Sequence, residues 1–146
     1  MVMEYKELLT IDLGGRLRHG VICNTPKGDG HLCSINQTIF GTEYGVNISA
    51  TERDYFNDRD AAIKPYLRPM SSMTEEEKKE MHEKLSPTGT AIYKEEGIST
   101  PLNHYGEWIP YEYMSRIIDW LNAHHFDYRG LIPKGLAIEA PEGMYN

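Results

Sequence analysis

The feature that most constrains the fold is a run of strand-like segments between Gly20 and Ala50, separated by turn-forming residues. Residues 31–40, HLCSINQTIF, alternate between two faces, as a half-buried strand requires. GVICNT (20–25) precedes them across the turn PKGDG, and VNISA (46–50) follows across the turn GTEYG. This pattern predicts an antiparallel meander of three strands.

The segments that flank the meander are less regular. Residues 5–13 have helical apolar spacing, which predicts a short helix ended by Gly14 and Gly15, although LLTIDL also fits a strand. Residues 51–62 are polar and predict a loop or a short helical turn. Residues 63–70 contain two prolines, which lack a backbone donor, and predict an extended edge or connector. With the meander, this last segment can close a small SH3-like barrel or leave a curled open sheet.

Helical signals dominate the second half of the chain. SSMTEEEKKEMHEKLS (71–86) offers two capping boxes, Ser72 with Glu75 or Thr74 with Glu77. Residues 111–126, YEYMSRIIDWLNAHHF, carry one broad apolar face and predict the main core helix. GTAIYKEEGIST (89–100) predicts a small hairpin, and the Gly- and Pro-containing tail (129–146) is expected to wrap the surface.

These elements predict a single α+β domain over residues 1–146, with a β-rich part at about 1–70 and a helical part at about 71–146. A curved antiparallel sheet is expected to pack against two or three helices. The net charge of −7 disfavours nucleic-acid binding, because an acidic surface repels phosphate. A homo-oligomer is compatible with the sequence.

Compartment signals point to the cytoplasm. The N-terminus lacks the features of a signal peptide, and no apolar run is long enough to span a membrane. Cys23 and Cys33 lie on predicted neighbouring strands, so a cross-strand disulfide is geometrically feasible. Two reduced thiols fit a cytoplasmic protein better.

The segment DWLNAHHFDYRGLI (119–132) holds the candidates for a metal site, His124, His125 and Asp127. Metal-binding histidines on a helix usually stand four residues apart, whereas adjacent side chains point about 100° apart. The spacing therefore favours a structural role at a helix end, where histidine interacts well with exposed carbonyls. A metal-dependent hydrolase or nuclease that uses these three residues stays as an alternative.

Aromatic and charged residues near the last helix are the candidates for partner binding. Tyr105, Trp108 and Tyr111 cluster closely, and such aromatics are enriched at binding hot spots. Arg129 can lock the tail by pairing with Asp127 or with a carbonyl, or it can hold an anion or the carboxylate of a partner. No nucleophile elbow, cysteine-protease signature, phosphate loop or calcium loop is present, so no catalytic residue and no cofactor are predicted.

Two blocks carry a resemblance to a known group. KPYLRPMSSMTEEEKKEM (64–81) and residues 119–145, which include KGLAIEAPEGMY, resemble a family of uncharacterised small proteins from phages, prophages and mobile elements of gut Bacteroidales-type bacteria. The blocks cover about a third of the chain. Where the family has Pro-Tyr-Gly-Val near its N-terminus, this chain has Arg18-His19-Gly20-Val21. The resemblance implies a phage-type accessory protein and assigns no site residues.

The expected function is therefore that of a non-catalytic accessory protein that binds a host protein or another partner. Besides the metal-dependent enzyme, a small-ligand or nucleotide sequestering protein stays open, with a tyrosine-lined pocket at a subunit interface.

Overall fold

The computed structural model of the chain describes residues 4–58, 63–85, 92–94, 97–99 and 111–145. The chain divides into two compact units: unit 1 combines Met1–Leu67 with Arg129–Asn146, and unit 2 is Arg68–Tyr128. Helices occur together with a mostly antiparallel sheet, so the predicted α+β class is confirmed. The assignment of residues 1–146 to a single domain stays a prediction.

The described elements of unit 1 are one α-helix, one 3-10 helix and six strands. They are α1 (Tyr5–Arg16), the 3-10 helix Leu17–His19, β1 (Ile22–Thr25), β2 (Gly28–Thr38), β3 (Gly41–Asn47), β4 (Arg53–Asn57), β5 (Lys64–Leu67) and β8 (Ile138–Glu139). Those of unit 2 are the 3-10 helix Met70–Ser72, α2 (Glu75–Leu85), β6 (Ile92–Lys94), β7 (Gly97–Ser99) and α3 (Tyr111–Ala123).

The strands of unit 1 form one curved sheet in the order β4-β3-β2-β1-β5-β8. Neighbouring strands are antiparallel except β5 and β8, which are parallel. The predicted curved, mainly antiparallel sheet is therefore confirmed. The SH3-like closure is not, because the outer strands β4 and β8 do not pair with each other in the described part of the chain.

The predicted meander is present, but its second turn lies earlier than expected. The chain turns at Ile39 and Phe40, whereas GTEYG opens β3. The Thr38 hydroxyl donates to the Gly41 carbonyl (3.0 Å) and accepts from the Phe40 amide (3.1 Å). Gly41 takes a φ of 120°, which residues with a Cβ rarely adopt. Thr38 therefore supplies the hydrogen bonds of this turn, and Gly41 supplies its left-handed backbone conformation.

Two segments differ from their sequence predictions because distant strands pair with them. The polar residues 53–57, predicted to be a loop or helical turn, form β4, in which Phe56 is buried and lies opposite Tyr44 of β3. The proline-containing segment is not an edge, because β5 lies between β1 and β8. Strand preference depends strongly on such pairing, so the local sequence was a poor guide here.

Helix α1 is longer than predicted and continues through Gly14 and Gly15 to Arg16. Each glycine costs roughly 1 kcal/mol relative to alanine inside a helix. The last turn is held by a fully buried ion pair between Asp12 and Arg16, one turn apart. The helical region ends instead at Gly20, whose φ of 71° is left-handed.

The core of unit 1 joins α1, the sheet and the C-terminal tail. Leu13 of α1 is fully buried and belongs to the same cluster as strand residues, and the Thr10 hydroxyl lies 2.7 Å from that of Tyr44. The remaining members are Val21, Cys23, Leu32, Val46, Phe56, Ile63, Leu67, Leu131 and Ala137. The tail therefore enters the core through Leu131 and Ala137, in addition to covering the surface as predicted.

Tyr145 fastens the end of the tail to the sheet. Its hydroxyl accepts a hydrogen bond from the Ile22 amide (3.0 Å) and donates one to the Tyr66 carbonyl (2.7 Å). The hydroxyl thus links β1 and β5 just beyond their last paired residues, Cys23 and Pro65. Burial raises the pKa of the Tyr145 hydroxyl, so it stays protonated and able to donate.

Unit 2 has an apolar cluster of its own, formed by α2, α3 and the adjoining segments. Its buried members are Met70, Met73, Met81, Ile117, Leu121 and Phe126. Met81 lies on α2, and Met73 lies two residues before the start of this helix. The predicted small hairpin is also present as β6 and β7.

The start of α2 is held by the second of the two predicted capping boxes. The Glu77 amide donates to the Thr74 hydroxyl, and the Thr74 amide donates to the Glu77 carboxylate. Arg68 also donates two hydrogen bonds to this carboxylate, at 2.7 and 2.8 Å. Chiefly through the Arg68 hydrogen bonds, the pKa of the Glu77 carboxyl falls from 4.5 to about 2.

We predict that Tyr145→Phe destabilises the protein by about 1–3 kcal/mol, because it leaves the Ile22 amide and the Tyr66 carbonyl without their partner. Urea unfolding followed by far-UV circular dichroism measures the change. Tyr55→Phe is the matched control, since the Tyr55 hydroxyl makes no hydrogen bond within the described residues, and its effect should be close to zero. Equal effects of the two substitutions would contradict the proposed role of Tyr145.

We further predict an acid-sensitive stability of unit 2. The ionised Glu77 stabilises the folded state above pH 4.5, and this contribution is lost as the pH falls towards about 2. Glu77→Gln keeps the capping geometry but loses the charge, so it should cost about 1–2 kcal/mol at pH 7 and flatten the acid dependence. Tryptophan fluorescence reports on this unit, because Trp108 and Trp120 both belong to residues 68–128.

Glu76→Gln is the control for this pH series, because Glu76 lies in the same helical turn and is exposed. It should leave both the stability at pH 7 and the slope below pH 4.5 nearly unchanged. An acid slope that survives in Glu77→Gln would show that another group governs it.

Candidate functional site

The histidine pair closes α3, as the sequence predicts for a helix end. His125 has a φ of 63°, the left-handed position that follows many helices. Its amide donates to the Asn122 carbonyl (3.2 Å), and the Phe126 amide donates to the Leu121 carbonyl (3.0 Å). These two bonds form a Schellman motif, so His125 takes the place that glycine usually holds.

The His124 side chain and the Asp127 backbone also make contacts within unit 2. The His124 ring stacks on Trp120 with centroids 4.1 Å apart, and its Nδ1 donates to the Trp120 carbonyl (2.9 Å). The Asp127 amide donates to the Arg68 carbonyl (2.8 Å). In the part of the chain that the structure describes, no three His, Cys, Asp or Glu side chains form a group that could hold a metal ion. The metal-dependent alternative therefore gains no support from the geometry.

The two cysteines are free thiols on β1 and β2. Cys23 is buried, and burial together with the carboxylates of Asp12 and Asp29 raises its pKa to about 12. The Cys33 thiol donates to the Gly45 carbonyl (3.2 Å). A thiol with the raised pKa of Cys23 is a poor nucleophile at neutral pH.

The residues predicted to bind a partner fall into different parts of the chain. Tyr105 and Trp108 lie outside the described residues. Tyr111 is the first residue of α3, and its side chain is also outside the described part. Arg129 lies in unit 1, where its Nε is 3.3 Å from Oδ1 of Asp12.

The contact of Arg129 completes a buried charge cluster in unit 1. Arg16 donates to both carboxylate oxygens of Asp12, at 2.7 and 3.1 Å, and both side chains are fully buried. The Arg129 Nε is not aligned for a hydrogen bond with Asp12, so its contact is mainly Coulombic. Arg129 thus contacts Asp12, a carboxylate far along the chain that the sequence analysis did not select for it.

The most exposed large apolar side chains belong to the β2–β3 turn. Ile39 is 92% exposed and Phe40 is 64% exposed. We call this pair the apolar tip. Turns usually carry polar or small residues, and Thr38 hydrogen bonds close this turn. The apolar tip exposes two large side chains that water solvates poorly.

A shallow groove adjoins the stem of the same hairpin. Its volume is about 320 Å³. It is lined by Lys6, Glu7, Thr10 and Ile11 of α1 and by Gln37, Thr42 and Asp58 of the sheet region. Its lining residues Gln37 and Thr42 directly precede and follow the β2–β3 turn residues in the chain, and its apolar residue Ile11 is 46% exposed. Tip and groove together form the candidate functional site.

Sequence reasoning missed this site because Ile39 and Phe40 fit the end of an alternating strand. A signal was nevertheless present: two large apolar residues stand between a threonine and a glycine, both good turn residues. Placing the turn at that glycine would have exposed both side chains.

No helix among the described residues is long and apolar enough to cross a lipid bilayer. Comparisons of the chain with family models, with curated proteins and with solved structures found no significant match.

We predict that Asp12→Asn destabilises unit 1 by about 3–5 kcal/mol, because it leaves the buried Arg16 guanidinium without its counter-charge. Replacing both fully buried partners, as in Asp12→Leu/Arg16→Met, should cost less than the single substitution, since the Arg16 charge is removed together with its counter-charge. Arg129 then loses its contact with Asp12, but its side chain is 29% exposed and reaches water. Urea unfolding followed by circular dichroism measures both values.

Glu75→Gln is the matched control, because it removes a surface ion pair with Lys78 in which Glu75 is 90% exposed. Such pairs contribute at most about 1 kcal/mol. An Asp12→Asn cost as small as that of Glu75→Gln would contradict the importance of the buried cluster.

Proposed function

We propose that this chain is a non-catalytic accessory protein, of the phage or mobile-element type that its two sequence blocks resemble, and that it binds a host protein in the bacterial cytoplasm. The apolar tip is the contact that drives binding. The groove beside it receives part of the same partner.

The observation that carries the proposal is the exposure of two adjacent large apolar side chains, Ile39 and Phe40, at the β2–β3 turn. Burying such side chains in a partner contributes about 1.5–3 kcal/mol each. Interfaces commonly derive most of their energy from a few apolar or aromatic anchors that fill pockets on the other protein. A two-residue tip on a rigid hairpin suits this role, because little conformational entropy is lost on binding.

A protein pocket is a better partner for the tip than a membrane surface. Residues 28–52, which include both strands of the hairpin, contain no lysine or arginine. Peripheral membrane binding usually combines apolar insertion with basic residues that attract anionic lipids. The net charge of −7 opposes such attraction.

The other expected functions have less support. The groove lining includes none of the tyrosines on which a sequestering pocket was expected to rest. A homo-oligomer stays a prediction.

The proposal is tested by binding from lysates of a host bacterium. Wild-type chain and the double variant Ile39→Ser/Phe40→Ser are immobilised, and retained proteins are identified by mass spectrometry. The affinity of any protein retained by the wild type is then measured with purified components. We expect the double variant to bind at least about tenfold more weakly, since each 1.4 kcal/mol lost is a factor of ten.

Tyr55→Ala is the matched control, because Tyr55 is 53% exposed but lies on β4, away from the turn. Both variants should unfold within about 0.5 kcal/mol of the wild type, as exposed side chains contribute little to stability. A partner that binds the tip variant and the wild type equally well would overturn the role of the tip.

A further inference from the structure

The outer face of strands β2, β3 and β4 is an array of mainly polar side chains, here called the polar face. A bulge in β2 between Leu32 and Ser34 interrupts it, and the Cys33 Sγ lies there 3.5 Å from Oδ1 of Asn47. Three rows of residues lie directly opposite one another across these strands. The rows are His31–Asn47–Arg53, Ser34–Gly45–Tyr55 and Asn36–Glu43–Asn57. The alternate residues Tyr44, Val46 and Phe56 point into the core instead. The polar face is therefore the side of the sheet opposite to the apolar core of unit 1.

The composition of this face is unusual for strands. Antiparallel sheets often leave one face in water, but asparagine and glycine are depleted in strands. Here four of the nine positions hold asparagine or glycine, with Gly45 at the centre. Tyr55 is the only phenylalanine, tyrosine or tryptophan among the nine residues. Its ring leans over Gly45, with Cε1 3.3 Å from the place where a Cβ of residue 45 would stand. The ring thus lies across the centre of the array and is 53% exposed.

Several hydrogen-bonding groups of the polar face are unused. The Asn36 amide, the Glu43 carboxylate and the Tyr55 hydroxyl have no partner within the described residues. The buried Ser34 Oγ also has none. Arg53 makes only a long contact, 3.5 Å, with Asn47. Donors and acceptors are therefore both available around one exposed aromatic ring.

We propose that the polar face binds a neutral glycan. Sugar hydroxyls act as donors and acceptors at once, and the amide, carboxylate and guanidinium groups of this face match both roles. The apolar C–H side of a sugar ring packs on an exposed aromatic such as Tyr55. Glu43 and Arg53 carry opposite charges, so the face offers no net attraction to a charged ligand. Sheet faces of small β folds bind oligosaccharides in this way.

The same features argue against other macromolecules. Single-stranded nucleic acid is bound by aromatic residues set in a positively charged groove, whereas this face has one arginine and one glutamate. Protein interfaces need a fully buried apolar or aromatic centre, and a single tyrosine among amides is too little. The proposal does not depend on the apolar tip, which lies at the end of the hairpin.

The test is a nuclear magnetic resonance titration of the ¹⁵N-labelled full chain. The probes are neutral oligosaccharides of glucose in α and β linkage, of N-acetylglucosamine, of mannose and of galactose. A single exposed aromatic predicts weak binding, with a Kd on the order of 0.1–1 mM. We expect one class of oligosaccharide to shift the backbone amide resonances of Asn36, Glu43 and Tyr55. We expect Tyr55→Ala to weaken the binding of that oligosaccharide about tenfold or more.

Tyr5→Ala is the matched control, because Tyr5 is 54% exposed but lies on α1. It should leave the affinity unchanged, as should the tip variant Ile39→Ser/Phe40→Ser. Asn36→Ala keeps the Tyr55 ring and should also weaken oligosaccharide binding. If Tyr55→Ala folds poorly, the affinity of Asn36→Ala is the test of the proposal. The proposal is overturned if no probe shifts these amides, if Tyr5→Ala matters as much as Tyr55→Ala, or if oligothymidylate binds this face more tightly than any sugar.

Discussion

The interaction on which unit 1 depends is the buried contact of Asp12 with Arg16 and Arg129. A carboxylate removed from water is costly unless opposite charges and hydrogen bonds surround it. Arg16 comes from the same helix, but Arg129 comes from the other end of the chain. The native state of α1 is therefore tied to the return of the tail. The contact between Asp12 and Arg16 also explains why α1 continues through Gly14 and Gly15, since a helix that ended at Gly14 would leave Arg16 outside the cluster.

The tail makes this dependence mutual. Leu131 and Ala137 complete the apolar core, β8 extends the sheet beside β5, and Tyr145 links β1 with β5. The last eighteen residues thus supply a charge, apolar surface, a strand and a hydroxyl to elements formed by the first 67. These contacts all depend on the position of one segment of backbone. Substitutions that remove different contacts of the tail are therefore expected to have non-additive effects on stability.

Local signals in the sequence predicted local structure well. The capping box of Thr74 and Glu77, the helix end at His125 and the small hairpin all depend on residues a few positions apart. The failures concern partners far along the chain. Strand β4 needs β3, and the local sequence offered Asp127 or a carbonyl as a partner for Arg129 rather than the distant Asp12. The candidate site was missed for a different, local reason: the turn was placed after Phe40, which assigned Ile39 and Phe40 to a strand.

The apolar tip and the polar face differ in chemistry because they occupy different parts of one hairpin. The strands require side chains that alternate between core and solvent, whereas the turn does not. Within the strands, alternation sends Tyr44 and Val46 to the core and leaves Glu43 and Asn47 outside. At the turn this alternation ends, and Ile39 and Phe40 are both exposed. On the outer face Asn36 is exposed, and its side-chain amide has no partner within the described residues. Residues that the fold does not require, and that cost something in water or in a strand, are the ones for which binding offers a physical reason.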